Sequence, residues 1–157
     1  MRYYLAVLTL ILALAGSAPQ VVAVVGTGLD WPAIKCGSPC IISDDGGGII
    51  DTYEAQGRLM AAGHVPVIVD GPCLSACTRF IDIDRANVCL TAHALLGYHQ
   101  WKKPNDDGTY EHGDMTYDTP GLNAYIKSHG GEPDPESGHL LMLNYLEANQ
   151  FYKICPT

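Results

Sequence analysis

Ser75 stands in the stretch "DGPCLSACTRF", between two cysteines and shortly after the strand-like run "VPVIV". A serine hydroxyl is a useful nucleophile only beside a base. His99, in "GYHQ", lies 24 residues further along, at the end of another strand-like run. Together they suit acyl transfer: the alcohol attacks a carbonyl carbon and the imidazole takes its proton. The oxyanion then needs donors. If Ser75 opens a helix, the Ala76 N–H has no intrahelical partner and lies at the positive end of the helix dipole. Gly46 to Gly48, in "SDDGGGII", offer a second donor, because glycine lets backbone approach a substrate closely.

Each residue also has a plainer reading. Serine is a preferred helix cap. An interior histidine commonly bonds to backbone, and His93 competes as a base. Lys102 and Lys103, just past His99, are alternative bases of a Ser-Lys pair. The glycines would make an ordinary strand-to-helix turn; they lack the Lys and Ser/Thr of a phosphate loop, and Asp44 and Asp45 are read as pointing to solvent. His64, His112, His129 and His139 fall in polar segments and are read as solvated. Trp101, Tyr98, Tyr110 and Tyr117 cluster around a polar stretch and suit a substrate groove or a partner surface.

The positioning elements follow from pattern. "CIIS" (Cys40 to Ser43) reads as a short buried strand. Apolar and small residues at Ile50, Tyr53, Gly57, Met60 and Ala61 recur at helical spacing over Ile49 to Ala62, and Gly63 is placed to end that helix. Val65 to Val69 is a strand, "DGPC" a turn, Ser75 to Ile81 a helix, and Asn87 to Thr91 and Ala94 to His99 strands. This alternation predicts an α/β fold with parallel strands and crossover helices. Gln100 to Gly121 reads as a long polar loop. Helices are expected over Leu122 to Ser128 and over about Ser137 to Ala148.

The chain has 157 residues, 47 % of them apolar, which suits one packed domain. Its net charge is −8 with only 9 Lys and Arg, so no basic stripe exists for nucleic acid. The N-terminus places Arg2 before an apolar run, Leu5 to Ala15, and small residues, the order of a secretory signal. Residues 1–23 are therefore read as a signal peptide, with a membrane anchor as the alternative, and 24–157 as a single domain. The protein is expected to be exported, periplasmic or secreted. Six cysteines (Cys36, Cys40, Cys73, Cys77, Cys89 and Cys155) fit an oxidising compartment. Six allow fifteen pairings, which the sequence leaves open. A bridge at Cys73 or Cys77, to each other or to Cys89 or Cys36, would stiffen the serine turn. Metal binding by Cys and His is the rival reading; the tight C-x2-C pairs of zinc ribbons are missing, so no metal site is assigned.

The order "SDDGGGII", helix, "VPVIVDGPCLSAC", helix and strand, "GYHQ" resembles the Clp-peptidase/crotonase superfamily, over about Cys40 to Gln100. The C-x-S-A-C form is most similar to exported bacterial members. The resemblance implies a Clp/crotonase-like core of βαβ units, stabilised here by disulfides. It carries Gly47 and Ala76 over as oxyanion donors, Ser75 as nucleophile and His99 as base. It implies a serine hydrolase acting on a peptide or other acyl substrate, with no cofactor. Homo-oligomerisation stays open, and no ATPase partner is expected outside the cytoplasm. Clp-type peptidases add a downstream Asp ahead of a helix that "YLEANQFYKI" echoes. No carboxylate stands at that place; Asp114, Asp118 and Glu136 are the candidates. The alternative is a non-catalytic binding module on the same scaffold.

Overall fold

The computed structural model describes Ile34 and residues 36–156. The predicted signal segment, 1–23, lies outside the described residues, as does most of the chain before Cys36.

Three short apolar strands begin the core: β1 (Cys40–Ile42), β2 (Val67–Val69) and β4 (Val88–Leu90). Each buries its first and third side chains, as a pleat with one face on a core requires. They pair in parallel in the order β1-β2-β4, and β9 (Lys153–Ile154) completes the sheet. Parallel neighbours need crossovers. Between β1 and β2 runs α1 (Ile50–Ala62), and before β4 runs α2 (Ala76–Ile83). The two helices pack on each other, with Tyr53 and Gly57 buried on α1 and Phe80 and Ile81 on α2.

A second sheet grows from the same turns of chain. β3 (Pro72–Leu74) follows β2, and β5 (Leu95–Tyr98) follows β4; they pair in parallel. The first turn contributes only a single parallel bridge, Asp45 to Cys73. The chain thus lays a strand in one sheet, then backbone in the other, three times over. Gly71 makes the step from β2 to β3, where a β-carbon would collide with the Ser43 carbonyl. β8 (Leu141–Asn144) closes the second sheet antiparallel to β5.

Strands β1, β2, β4 and β5 and helix α1 fall within the runs read from sequence, as does α3 (Leu122–Ser128), while α2 starts one residue and ends two residues later than the expected Ser75 to Ile81. The mixed α/β fold with a parallel sheet stands accordingly. Other segments differ. Gly63 does end α1, as expected, but at φ −83°, and the left-handed position falls on His64 at φ 50°. The expected polar loop from Gln100 to Gly121 contains an antiparallel hairpin, β6 (Trp101–Pro104) with β7 (Tyr110–Gly113). Its strands expose side chains on both faces, so they show no alternation. The helix expected from Ser137 to Ala148 is a 3-10 turn (Pro135–Ser137), then β8, then one turn of helix, α4 (Tyr145–Ala148). "LLMLNYL" is apolar at both spacings, and pairing with β5 decides for strand.

All six cysteines are bridged: Cys36–Cys40, Cys73–Cys77 and Cys89–Cys155. The last ties β4 to the chain after β9. Three disulfides fit an extracellular or periplasmic protein. Among the described residues, no helix is long and apolar enough to cross a membrane.

Candidate active site

Ser75 links β3 to α2 in a tight elbow. Its backbone lies at φ 56°, ψ −124°, a conformation costly for any residue with a β-carbon. Three constraints hold it there. Its N–H donates to the Gly97 carbonyl of β5 at 2.8 Å. Its carbonyl accepts from Thr78 N–H at 2.9 Å and from Thr78 Oγ1 at 2.6 Å. The Cys73–Cys77 disulfide spans the elbow, with both cysteines fully buried. The Ser75 hydroxyl makes no capping bond, so the plain helix-cap reading does not describe it.

The glycine loop packs onto this elbow. Gly47 takes φ +83°, and a β-carbon there would sit 2.6 Å from the Leu74 carbonyl, 2.7 Å from Ser75 Cβ and 2.9 Å from Ala76 N. Asp45 shapes the loop. Its Oδ1 accepts from Gly47 N–H at 2.8 Å and from Tyr53 Oη at 2.8 Å. Burial and the Asp45 carboxylate push the Tyr53 hydroxyl's pKa up. Asp45 therefore turns inward, in contrast to the solvent-facing reading, while Asp44 is exposed. The Gly47 N–H is spent on Asp45. The N–H of Gly48, which borders the cleft, has no partner among the described residues. Ala76 N–H, at the first helical position, has no intrahelical acceptor.

Ser75 and His99 open onto one cleft of about 830 Å³. It is lined by Gly48, Ile49, Ile50 and Asp51 from the glycine loop and the start of α1 and by Trp101, Pro104, Tyr110 and Met115 from the hairpin and the chain after it. Lys102 and Lys103 also border it, and Lys102 Nζ lies 4.9 Å from the Tyr110 ring centroid. Of the aromatic cluster, Trp101 and Tyr110 face the cleft, whereas Tyr98 and Tyr117 are core residues in edge contact at 5.3 Å.

His99 follows β5, half-buried. Its Nδ1 lies 2.6 Å from the Gln100 carbonyl. A carbonyl oxygen only accepts, so Nδ1 carries the proton, and in the neutral ring Nε2 keeps its lone pair. None of the three carboxylate candidates reaches His99. Asp114 accepts from Gln100 Nε2 at 2.9 Å. Asp118 is exposed, its N–H bound to Asp82, and Glu136 is exposed on the 3-10 turn. His93 pairs with Asp70 at 2.9 Å on an exposed surface away from the cleft lining. Because every cysteine is bridged, none is free to ligate a metal.

Three residues near the site carry no signal in the sequence. Thr78 holds the Ser75 carbonyl. Asp82, buried on α2, accepts from the N–H groups of Asp118 and Thr119 and from Arg79, tying the segment after the hairpin to the helix that Ser75 begins. Glu132, also buried, accepts from Met115 N–H at 2.5 Å and from Tyr117 Oη at 3.0 Å.

Comparison with known protein families, with curated proteins and with solved structures finds no match to this chain.

Proposed function

We propose that the protein is an exported serine hydrolase with a Clp/crotonase-like core, acting on a peptide or other acyl bond. The observation that carries this reading is the elbow at Ser75: an uncapped hydroxyl, on a backbone held in a rarely occupied conformation, opening onto a cleft that His99 also borders. Such strain is maintained where it serves chemistry. The three-fold alternation of chain between two sheets supports the scaffold assignment.

In this scheme Ser75 Oγ attacks the carbonyl carbon and its proton passes to His99 Nε2. The oxyanion is held by Ala76 N–H and the glycine loop, where Gly48 N–H is the free donor and Gly47 fixes the loop against the elbow. His99 returns the proton to the departing amine or alcohol, leaving an acyl-serine. Water, deprotonated by the same imidazole, then releases the acid. The Gln100 carbonyl takes the orienting part that a carboxylate has in a triad. It holds the tautomer but stabilises an imidazolium less than an anion would.

That last point favours a second reading, a non-catalytic binding module using the same cleft. Turnover of activated acyl esters and short peptides separates the two. The hydrolase reading expects activity that is lost in Ser75→Ala and falls by about 10²–10⁴ in His99→Ala. Binding without turnover, unchanged in both variants, would leave the binding module.

A further inference from the structure

Glu132 is a buried carboxyl that the proposed chemistry does not use. A chain of oxygens runs from it to the nucleophile's backbone. Glu132 Oε1 lies 3.0 Å from Tyr117 Oη, Tyr117 Oη 3.3 Å from Thr78 Oγ1, and Thr78 Oγ1 2.6 Å from the Ser75 carbonyl. The three links need three protons. With Glu132 ionised, only the Tyr117 and Thr78 hydroxyls supply one. Thr78 gives its proton to Ser75 and Tyr117 gives its own to Glu132, so the middle link is empty. That link is the longest of the three. With a proton on Oε1, Glu132 donates to Tyr117, Tyr117 turns its own proton to Thr78, Thr78 still donates to Ser75, and all three links close. Oε2 still accepts from Met115 N–H.

We propose that Glu132 is a positioning residue for Ser75, acting through a Tyr117–Thr78 strut that is complete only when the Glu132 carboxyl carries a proton. Burial and the neighbouring Asp114 hold this carboxyl well above the usual range, at about 7, against the pull of Met115 N–H and Tyr117 Oη. The strut therefore closes and opens near neutral pH. The surrounding groups do not substitute for it. Tyr117, Tyr98 and Tyr152 are pushed up by burial and stay protonated. Arg79, over the Tyr117 ring at 5.8 Å, stays charged and is paired with Glu54 and Asp82. Gln100 N–H donates to the Pro133 carbonyl, which brings the His99 strand end to Glu132, and His112 lies 3.6 Å from Asp134. Variants of these two imidazoles, His99→Asn and His112→Asn, isolate the contribution of Glu132.

The strut itself does not depend on catalysis; its meaning as a positioning device rests on the hydrolase reading. The test follows the Ser75 and Ala76 amide shifts by NMR between about pH 5 and 9, in the full folded chain. The expected result is a step with its midpoint near 7, kept in His99→Asn and in His112→Asn. Glu132→Gln, whose amide donates to Tyr117 permanently, and Tyr117→Phe, which breaks the chain while keeping the ring, should each lose the step. No step in the parent protein, or a step that survives in Glu132→Gln and Tyr117→Phe, overturns the proposal. Acyl-ester turnover of the parent protein is read alongside. A step present without turnover leaves the strut standing and removes the hydrolase, whereas turnover without the step does the reverse.

Discussion

Gly47 and Ser75 touch so closely that a β-carbon on the glycine would lie 2.7 Å from Ser75 Cβ. The contact places the glycine loop on top of the strained elbow, and both border the entrance to the cleft. Gly47→Ala adds a forbidden contact at a residue already at φ +83°. The substitution is expected to destabilise the fold by about 1–3 kcal/mol and, by pushing the loop and its Gly48 donor away from the oxyanion, to lower acyl-ester turnover by about 10²–10³. Denaturant unfolding and a turnover assay on the same preparation check the two effects.

The disulfides divide between stability and site geometry. Chain entropy gives about 2 kcal/mol for closing a loop as short as Cys73–Cys77 and about 4 kcal/mol for one as long as Cys89–Cys155. Cys89→Ala with Cys155→Ala should therefore cost more stability. Cys73→Ala with Cys77→Ala should cost more turnover, because that bridge spans the Ser75 elbow. Paired melting and turnover measurements would reveal a reversed order, which would contradict a positioning role for the Cys73–Cys77 bridge.

Asp82 anchors the segment beyond the hairpin. Its carboxylate is almost wholly buried and accepts from two backbone N–H groups and Arg79. Asp82→Ala leaves those donors and part of the Arg79 charge unpaired, at a cost of about 3 kcal/mol. Limited proteolysis should show faster cleavage around Thr116 to Thr119, ahead of cuts in α2.

Stability should depend on pH in two opposed ways. The Glu132 carboxyl is raised in the folded state to about 7. Its contribution is then full below the usual carboxylate range and lost as pH climbs through 7. Glu54 behaves in the other direction. Burial raises its pKa, but Arg79 and Arg58 lower it further, so its contribution is present above the ordinary value and lost in acid. Melting temperatures should thus peak in mildly acidic buffer. Glu132→Gln should flatten the alkaline side and leave the acid side; an unchanged alkaline slope would refute the assignment.

Much of the framework was legible because the buried strands and helices repeat at their own periods. "CIIS", "VPVIV" and "NVCLT" are short apolar runs bounded by turns, and α1 carries small and apolar residues at helical spacing. Ser75 and His99 could be nominated because each ends or follows such a run, and they do border one cleft. The hairpin β6–β7 escaped because a two-stranded ribbon with both faces wet has no alternation to read. β3 escaped because three residues containing a proline carry no pattern, and its identity comes from pairing with β5. Asp45 and Glu132 escaped for a different reason. In "SDDGGG" and "GGEPDPE" an acid among glycines and other acids looks solvated, and only the tertiary fold turns these two inward to meet Tyr53, Tyr117 and backbone N–H groups. Asp114 was nominated for its charge, yet its partner is Gln100, and the group that meets His99 Nδ1 is a backbone carbonyl that no sequence motif announces.

The central claim, that Ser75 is an activated nucleophile, is tested most directly by treating the folded protein with a fluorophosphonate and locating the adduct by peptide mass spectrometry. The account predicts one adduct, on Ser75, that disappears in Ser75→Ala and forms more slowly in His99→Ala. No adduct on the folded protein, or one on a different residue, would contradict it.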